Sequence, residues 1–242
     1  MRLSAEASLM LLAVALYLYD ALCLLASNEA VLVRGRSGRW FARFGAHRWR
    51  LGSKEPCLPN PFMPQRPMFR LAWSFEGDAP SRDVSRPLQV PSQVEGLGKF
   101  TVVSALCIFV LLPAGLFSAI GASFTVAAVA LMYLNIVVAL AVVHRRRAGL
   151  SLPGRQFAGL AFECLVCPPF SINLVRRLCA RVSTNEPFTT AARRLLSADA
   201  MADVNAQCVA RLEEQMDFES EGSQRMQTLQ AAKARFAPPE SP

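Results

Sequence analysis

The chain has 242 residues, 52% of them hydrophobic, and a formal charge of +8 carried almost wholly by arginine. Two long uncharged runs exclude an ordinary soluble domain, while a mean hydropathy of +0.28 is modest for a multi-span transporter. Seven scattered cysteines, an odd number without paired spacings, exclude a disulfide scaffold and suit reduced thiols.

Residues 1–27 open with Arg2 and Glu6, run apolar from Ala7 to Leu16, and stay apolar past Asp20 to Ala26. The pattern predicts a first transmembrane helix. Leu24-Leu25-Ala26 loosely resembles a signal-peptide cleavage site, but one Arg offset by Glu6 makes a weak leader. Asp20 is the one acid inside a predicted span. A carboxylate mid-helix costs roughly 2.5–3.5 kcal/mol on insertion scales, so it is a candidate functional residue. The neighbouring Tyr17 and Tyr19 argue instead for an interfacial belt.

Residues 28–77 change period from helix to strand. Glu29–Arg34, Arg39–Phe44, His47–Leu51 and Met68–Trp73 are short β-type runs separated by glycine turns, which predicts a small basic antiparallel β-meander. Leu58–Pro67 carries four prolines and is predicted irregular. Arginines interleaved with Trp40, Phe41, Phe44 and Trp49 could bind nucleic acid by stacking. No recognised pattern supports that, and a basic face on anionic lipid is the simpler reading. Residues 78–99 read as a linker. The region from Asn28 to Lys99 carries twelve basic and six acidic residues, which puts it on the cytoplasmic side.

Residues 100–143 form a predicted transmembrane helical hairpin. Each arm is uncharged over about 20 residues, enough to cross about 30 Å of hydrocarbon. Pro113 predicts a kink or local loosening. Ala114, Ser118 and Ala122, and likewise Gly115, Ala119 and Ser123, predict close helix approach. Asn135, the polar outlier, is expected to bond a neighbouring helix. Arg145, Arg146 and Arg147 follow the hairpin and are expected to face lipid on the cytoplasmic side, in agreement with the first basic region.

Residues 144–182 hold an apolar segment too short to span, Gln156–Cys167, followed by a proline break. Ser171–Val182 then reads as an amphipathic helix with Arg176, Arg177 and Arg181 on its lipid-facing basic side. Together they predict a re-entrant or interfacial element, the alternative being a fourth span that would send the C-terminal tail outside. Glu163, Cys164 and Cys167 are further candidates, because Cys-x-x-Cys serves redox or zinc chemistry in some settings. No second pair or βαβ context accompanies it here, so packing is the preferred role. Residues 183–242 predict a cytoplasmic helical tail, with a helix capped by Ser197 and a weaker one ending near Phe236.

The expected fold is therefore a mainly α-helical membrane protein with three transmembrane helices, an interfacial or re-entrant segment, and a small cytoplasmic meander. Its expected place is a bacterial inner membrane, N-terminus outside and C-terminus inside. No motif implies a cofactor or metal. The preferred function is a non-enzymatic interaction or scaffold subunit, whose partners are anionic lipid and other membrane subunits or a second copy. The alternatives are a redox or metal protein using Cys164 and Cys167, and a channel or transporter component using Asp20 and Asn135.

Overall fold

The computed structural model describes residues 4–35, 37–46, 48–74, 94, 96–117, 121–181 and 186–236. Most of the expected linker, His47, Ser118 and Ala119 of the small-residue pattern, Val182 and the end from residue 237 lie outside the described residues. Among those described, the chain is mostly α-helical, with small antiparallel sheets. It divides into two compact units, one of residues 1–23, 58–69 and 89–183, the other of residues 24–57, 70–88 and 184–242.

In the first unit, α1 (Ala5–Ala21) starts at Ser4, whose hydroxyl accepts from the Ala7 amide at 3.2 Å. It ends earlier than the sequence suggests. Leu22 is extended, and Cys23–Ala26 forms a strand rather than a last helical turn, so Asp20 lies in the final turn of α1. At 17 residues the helix is about 26 Å long, somewhat short of a hydrocarbon core.

The hairpin consists of α2 (Gly98–Phe117) and α3 (Ala122–Arg146), both long and apolar enough to cross a membrane. Pro113 offers no amide to the Phe109 carbonyl four residues back. The helix responds with a π-helical stretch at Cys107–Leu111, where the Leu112 amide reaches the Cys107 carbonyl five back. The arms run antiparallel. Near the turn, a Cβ on Gly115 would stand 3.2 Å from the Thr125 Cα, and toward the other end Asn135 bonds the first turns of α2.

After α3 come α4 (Gly154–Val166), a 3-10 turn at Pro168–Asn173, and α5 (Leu174–Arg181). Phe157 packs on His144 with ring centroids 5.1 Å apart, while Cys164 shares a crevice with Ile136, Ala139 and Leu140. Thus α4 climbs antiparallel along α3, turns at the two prolines, and returns as α5.

The second unit contains β1 (Cys23–Ala26, from Leu24 onward), β2 (Glu29–Arg34), β3 (Trp40–Arg43), β4 (Lys54–Cys57) and β5 (Met68–Ala72, from Arg70 onward). β2 and β3 pair antiparallel with Val31 opposite Arg43, and the sheet order is β3-β2-β5. The expected strand at 47–51 is absent from the described residues: Arg48, Trp49 and Arg50 are exposed, and only Leu51 bridges back, to Lys54. The strand instead is β4, paired with β1 despite Pro56, which a two-stranded edge tolerates because one side needs no donor. Three helices complete the unit: α6 (Phe188–Leu195), α7 (Ala198–Met216) and α8 (Gln224–Phe236). Ser197 caps α7, and Val204, Cys208 and Leu212 are buried along its inner stripe.

Gly115→Ala is expected to overpack the hairpin by about 1–3 kcal/mol. Gly159→Ala, which opens into free space on α4, should gain up to about 1 kcal/mol from helix propensity. Unfolding midpoints in detergent micelles check both signs.

Candidate functional site

In the first unit, charged side chains from three helices converge on one place. Arg177 of α5 donates through Nε to Asp20 Oδ1 at 2.7 Å, and its two Nη atoms bond Asp20 and Glu163. Arg181, one turn on, donates to Glu163 Oε2 at 2.7 Å. The Asp20 carboxylate also accepts from Asn173 Nδ2 at 3.0 Å, and the same amide lies 3.2 Å from the Tyr17 carbonyl. Phe170 lies under the Arg177 guanidinium, 4.2 Å from its ring centroid. The side chains of Asp20 and Arg177 are only 8% and 16% exposed. One guanidinium therefore joins α1, α4 and α5.

The position of this cluster is more informative than its membership. Its neighbour Cys164 is level with Ile136, Ala139 and Leu140 on α3, six to ten residues before Arg146. At about 1.5 Å per residue, that is about 9–15 Å in from the basic end of the hairpin. Asp20 pairs with an arginine of a neighbouring helix inside the helical packing. Charges so buried persist only when paired and hydrogen-bonded.

Periodicity puts Arg176, Arg177 and Arg181 on a lipid-facing basic side, and the structure corrects that. Arg176 is 4% exposed and donates to the backbone carbonyls of Asn60 and Met63 at 2.6 and 3.0 Å. Arg177 and Arg181 face carboxylates. The sequence pattern identifies the two faces of α5 but cannot show that α1 and α4 supply acids to the polar one. Arg145, Arg146 and Arg147 are exposed.

Asn135 is a helix-to-helix donor, its Nδ2 lying 2.9 Å from the Phe100 carbonyl and 3.0 Å from Ser104 Oγ. Ser104 in turn lies 2.9 Å from Ser171 Oγ, which ties the 3-10 turn to the hairpin. Sequence reading misses both serines, since a lone Ser in an apolar run carries no signal. The crevice between Phe100, Ser104, Cys164 and Ser171 is nowhere wide enough for a water molecule.

Cys164 is fully buried and Cys167 half-buried, both with free thiols. Burial pushes the Cys164 thiol up to about 12, against a smaller downward pull from Arg177. That is the reverse of the activation a redox or zinc cysteine needs. Among the described residues, no group of three or more His, Cys, Asp or Glu is placed to hold a metal ion. Burial also raises the Glu163 carboxyl, but hydrogen bonds and charge from Arg181 and Arg177 outweigh it and hold the group below its ordinary 4.5.

No protein-family model, curated protein or solved structure matches this chain.

Iodoacetamide at about pH 8, near the ordinary thiol range, should label Cys167 well before Cys164. Peptide mass spectrometry reads the order, and equal rates would contradict the buried placement. Glu163 has a lowered value in the folded chain, so its ion pairs add stability that is complete above 4.5 and lost as pH falls through the lowered value. Acid unfolding of Glu163→Gln should therefore show a shallower loss below about 4.5 than the parent chain.

Proposed function

We propose that this chain is an integral protein of a bacterial inner membrane, acting as a non-enzymatic interaction or scaffold subunit of a larger membrane assembly. The observation that carries the reading is the outer surface of the hairpin. Only 28% of the most apolar stretch of α2 and 39% of that of α3 is buried. Val102, Leu106, Val110, Val126, Leu131, Leu134 and Val137 face outward, where a soluble protein's core helix would be covered. Lipid is the solvent such a surface needs. α1 adds Leu9, Leu11, Leu12 and Leu18 to this outer surface and acts as a third span, with its Asp20 neutralised by Arg177.

The orientation follows from charge. Arg145, Arg146 and Arg147 at the end of α3 lie on the cytoplasmic side, where anionic headgroups receive them. The excess of basic residues between Asn28 and Lys99 assigns that region to the cytoplasm as well. The N-terminus lies outside and the C-terminus inside. α4, the 3-10 turn and α5 form the re-entrant segment.

The scaffold reading is favoured over catalysis or transport by what the polar groups do. Asp20, Glu163, Arg177 and Arg181 satisfy one another, and Asn135 bonds α2. Cys164 is inert by burial. These groups hold helices together; the partners are other membrane subunits or a second copy.

Single cysteines in a cysteine-free chain test the topology. Those at Ser53, Ala148 and Ser220 should resist an impermeant thiol reagent in intact cells and react after lysis, whereas those at Ser4 and Ser123 should react directly. Labelling at Ser53 in intact cells would overturn the orientation. In a mild detergent the purified protein should run as an assembly larger than one chain, and a lone monomer would contradict the scaffold role.

A further inference from the structure

The proline-rich segment Leu58–Pro67 belongs to the same unit as the spans, and its seating is out of proportion to an ordinary surface loop. The Arg176 guanidinium, nearly all of it buried, donates to two of its carbonyls, Asn60 at 2.6 Å and Met63 at 3.0 Å. The Tyr17 hydroxyl donates to the Pro61 carbonyl. The Phe62 amide is taken by Asn60 Oδ1 at 2.9 Å, and the Met63 and Arg66 amides turn back onto Asn60 and Met63. Pro59, Pro61, Pro64 and Pro67 have no amide to satisfy. At its lower end the segment lies against the start of α2, where a Cβ on Gly98 would stand 3.3 Å from the Gln65 carbonyl. At its upper end Pro61 meets Tyr17, whose ring is 5.6 Å from that of Phe109, eleven residues along α2. The segment thus climbs the side of the helices.

Irregular backbone is tolerated at membrane depth only when its polar groups are satisfied by protein. This segment meets that demand at Asn60, Pro61, Phe62 and Met63, and it explains why Arg176 is buried against backbone carbonyls. At its tip Phe62 is 90% exposed, although the backbone that carries it is held on three sides. A fixed loop with a fully outward phenylalanine, seated through Tyr17 on the middle of α2, is suited to hydrocarbon.

We infer that Leu58–Pro67 is a re-entrant membrane loop that places Phe62 among lipid acyl chains, with Arg176 and Tyr17 as its positioning residues. The inference rests on the membrane reading above, and takes residues 58–67 out of the cytoplasmic region assigned there, as a loop that enters and leaves the bilayer on that same side. It commits to lipid as the occupant, because Tyr17, which holds Pro61, packs on Phe109, eleven residues into one of the two helices long and apolar enough to cross a membrane.

The test uses full-length Phe62→Trp in proteoliposomes, compared with the parent chain to subtract the native tryptophans. Lipids brominated along the acyl chain should quench the added emission, which should be blue-shifted. Tyr17→Phe, a mild change, and Arg176→Met should each reduce that quenching while the protein still resists carbonate extraction. A carbonate-resistant protein in which the introduced indole emits as in water would overturn the loop proposal and leave the anchor reading standing. Extraction by carbonate would overturn both. Shielding of that indole that persists in detergent and tracks cross-linking to a second copy would assign the site to protein and likewise overturn the proposal.

Discussion

The arrangement of the first unit depends on Arg177 holding two carboxylates from different helices. An ionised group this buried is expensive when unpaired, so an Asp20 without Arg177 would disfavour the packing of α1. With Arg177 in place, Asp20 is held in the last turn of α1. Its helix ends one residue later, and Asn173 closes both the last turn and the carboxylate. Glu163 and Arg181 complete the cluster, and Phe170 covers one face of the guanidinium. Replacing such a cluster by apolar groups of similar volume is often harmless, whereas removing one member is not. The cluster therefore specifies which helices meet more than it adds net stability.

The same constraint governs the rest of the unit. Buried polar groups are costly without protein partners. Pro113 is absorbed by a π-helical stretch, Asn135 and Ser171 meet on Ser104, and Arg176 serves backbone carbonyls. The second unit shows a parallel device. Arg211 of α7 donates to the buried Glu55 of β4 at 2.7 Å, reaches the Gly45 carbonyl at 3.2 Å, and lies over the Phe44 ring. A side chain at Gly45 would collide with Glu55, so that approach requires glycine. In both units an arginine from a late helix fastens an early segment of the chain.

Legibility in the sequence followed the range of the forces. The hairpin, β2, β3, β5 and the Ser197 cap were readable because uncharged length, β-branched alternation and a hydroxyl before a helix act locally. The end of α1 was not readable: Leu22–Ala26 is as apolar as a helix and becomes a strand only because β4 pairs with it. β4 itself was hidden by Lys54 and Pro56, and among the described residues of the run at 47–51 only Leu51 makes a ladder bridge, to Lys54. The basic side of α5 was assigned to lipid because nothing local couples Arg177 to residue 20, 157 positions earlier. Asn135 as an interhelical donor was readable, since a lone amide in an apolar run has few other uses. Its partners Ser104 and Ser171 were not.

The claim that Arg177 organises the unit is tested most directly by a double-mutant cycle of Asp20→Leu and Arg177→Met, read as unfolding free energy of the full chain in lipid-detergent micelles. The account predicts that Arg177→Met alone costs about 3–5 kcal/mol by stranding Asp20, and that adding Asp20→Leu recovers a large part of it. Additive losses, with a coupling within about 0.5 kcal/mol of zero, would contradict it and leave the helices held by apolar packing alone.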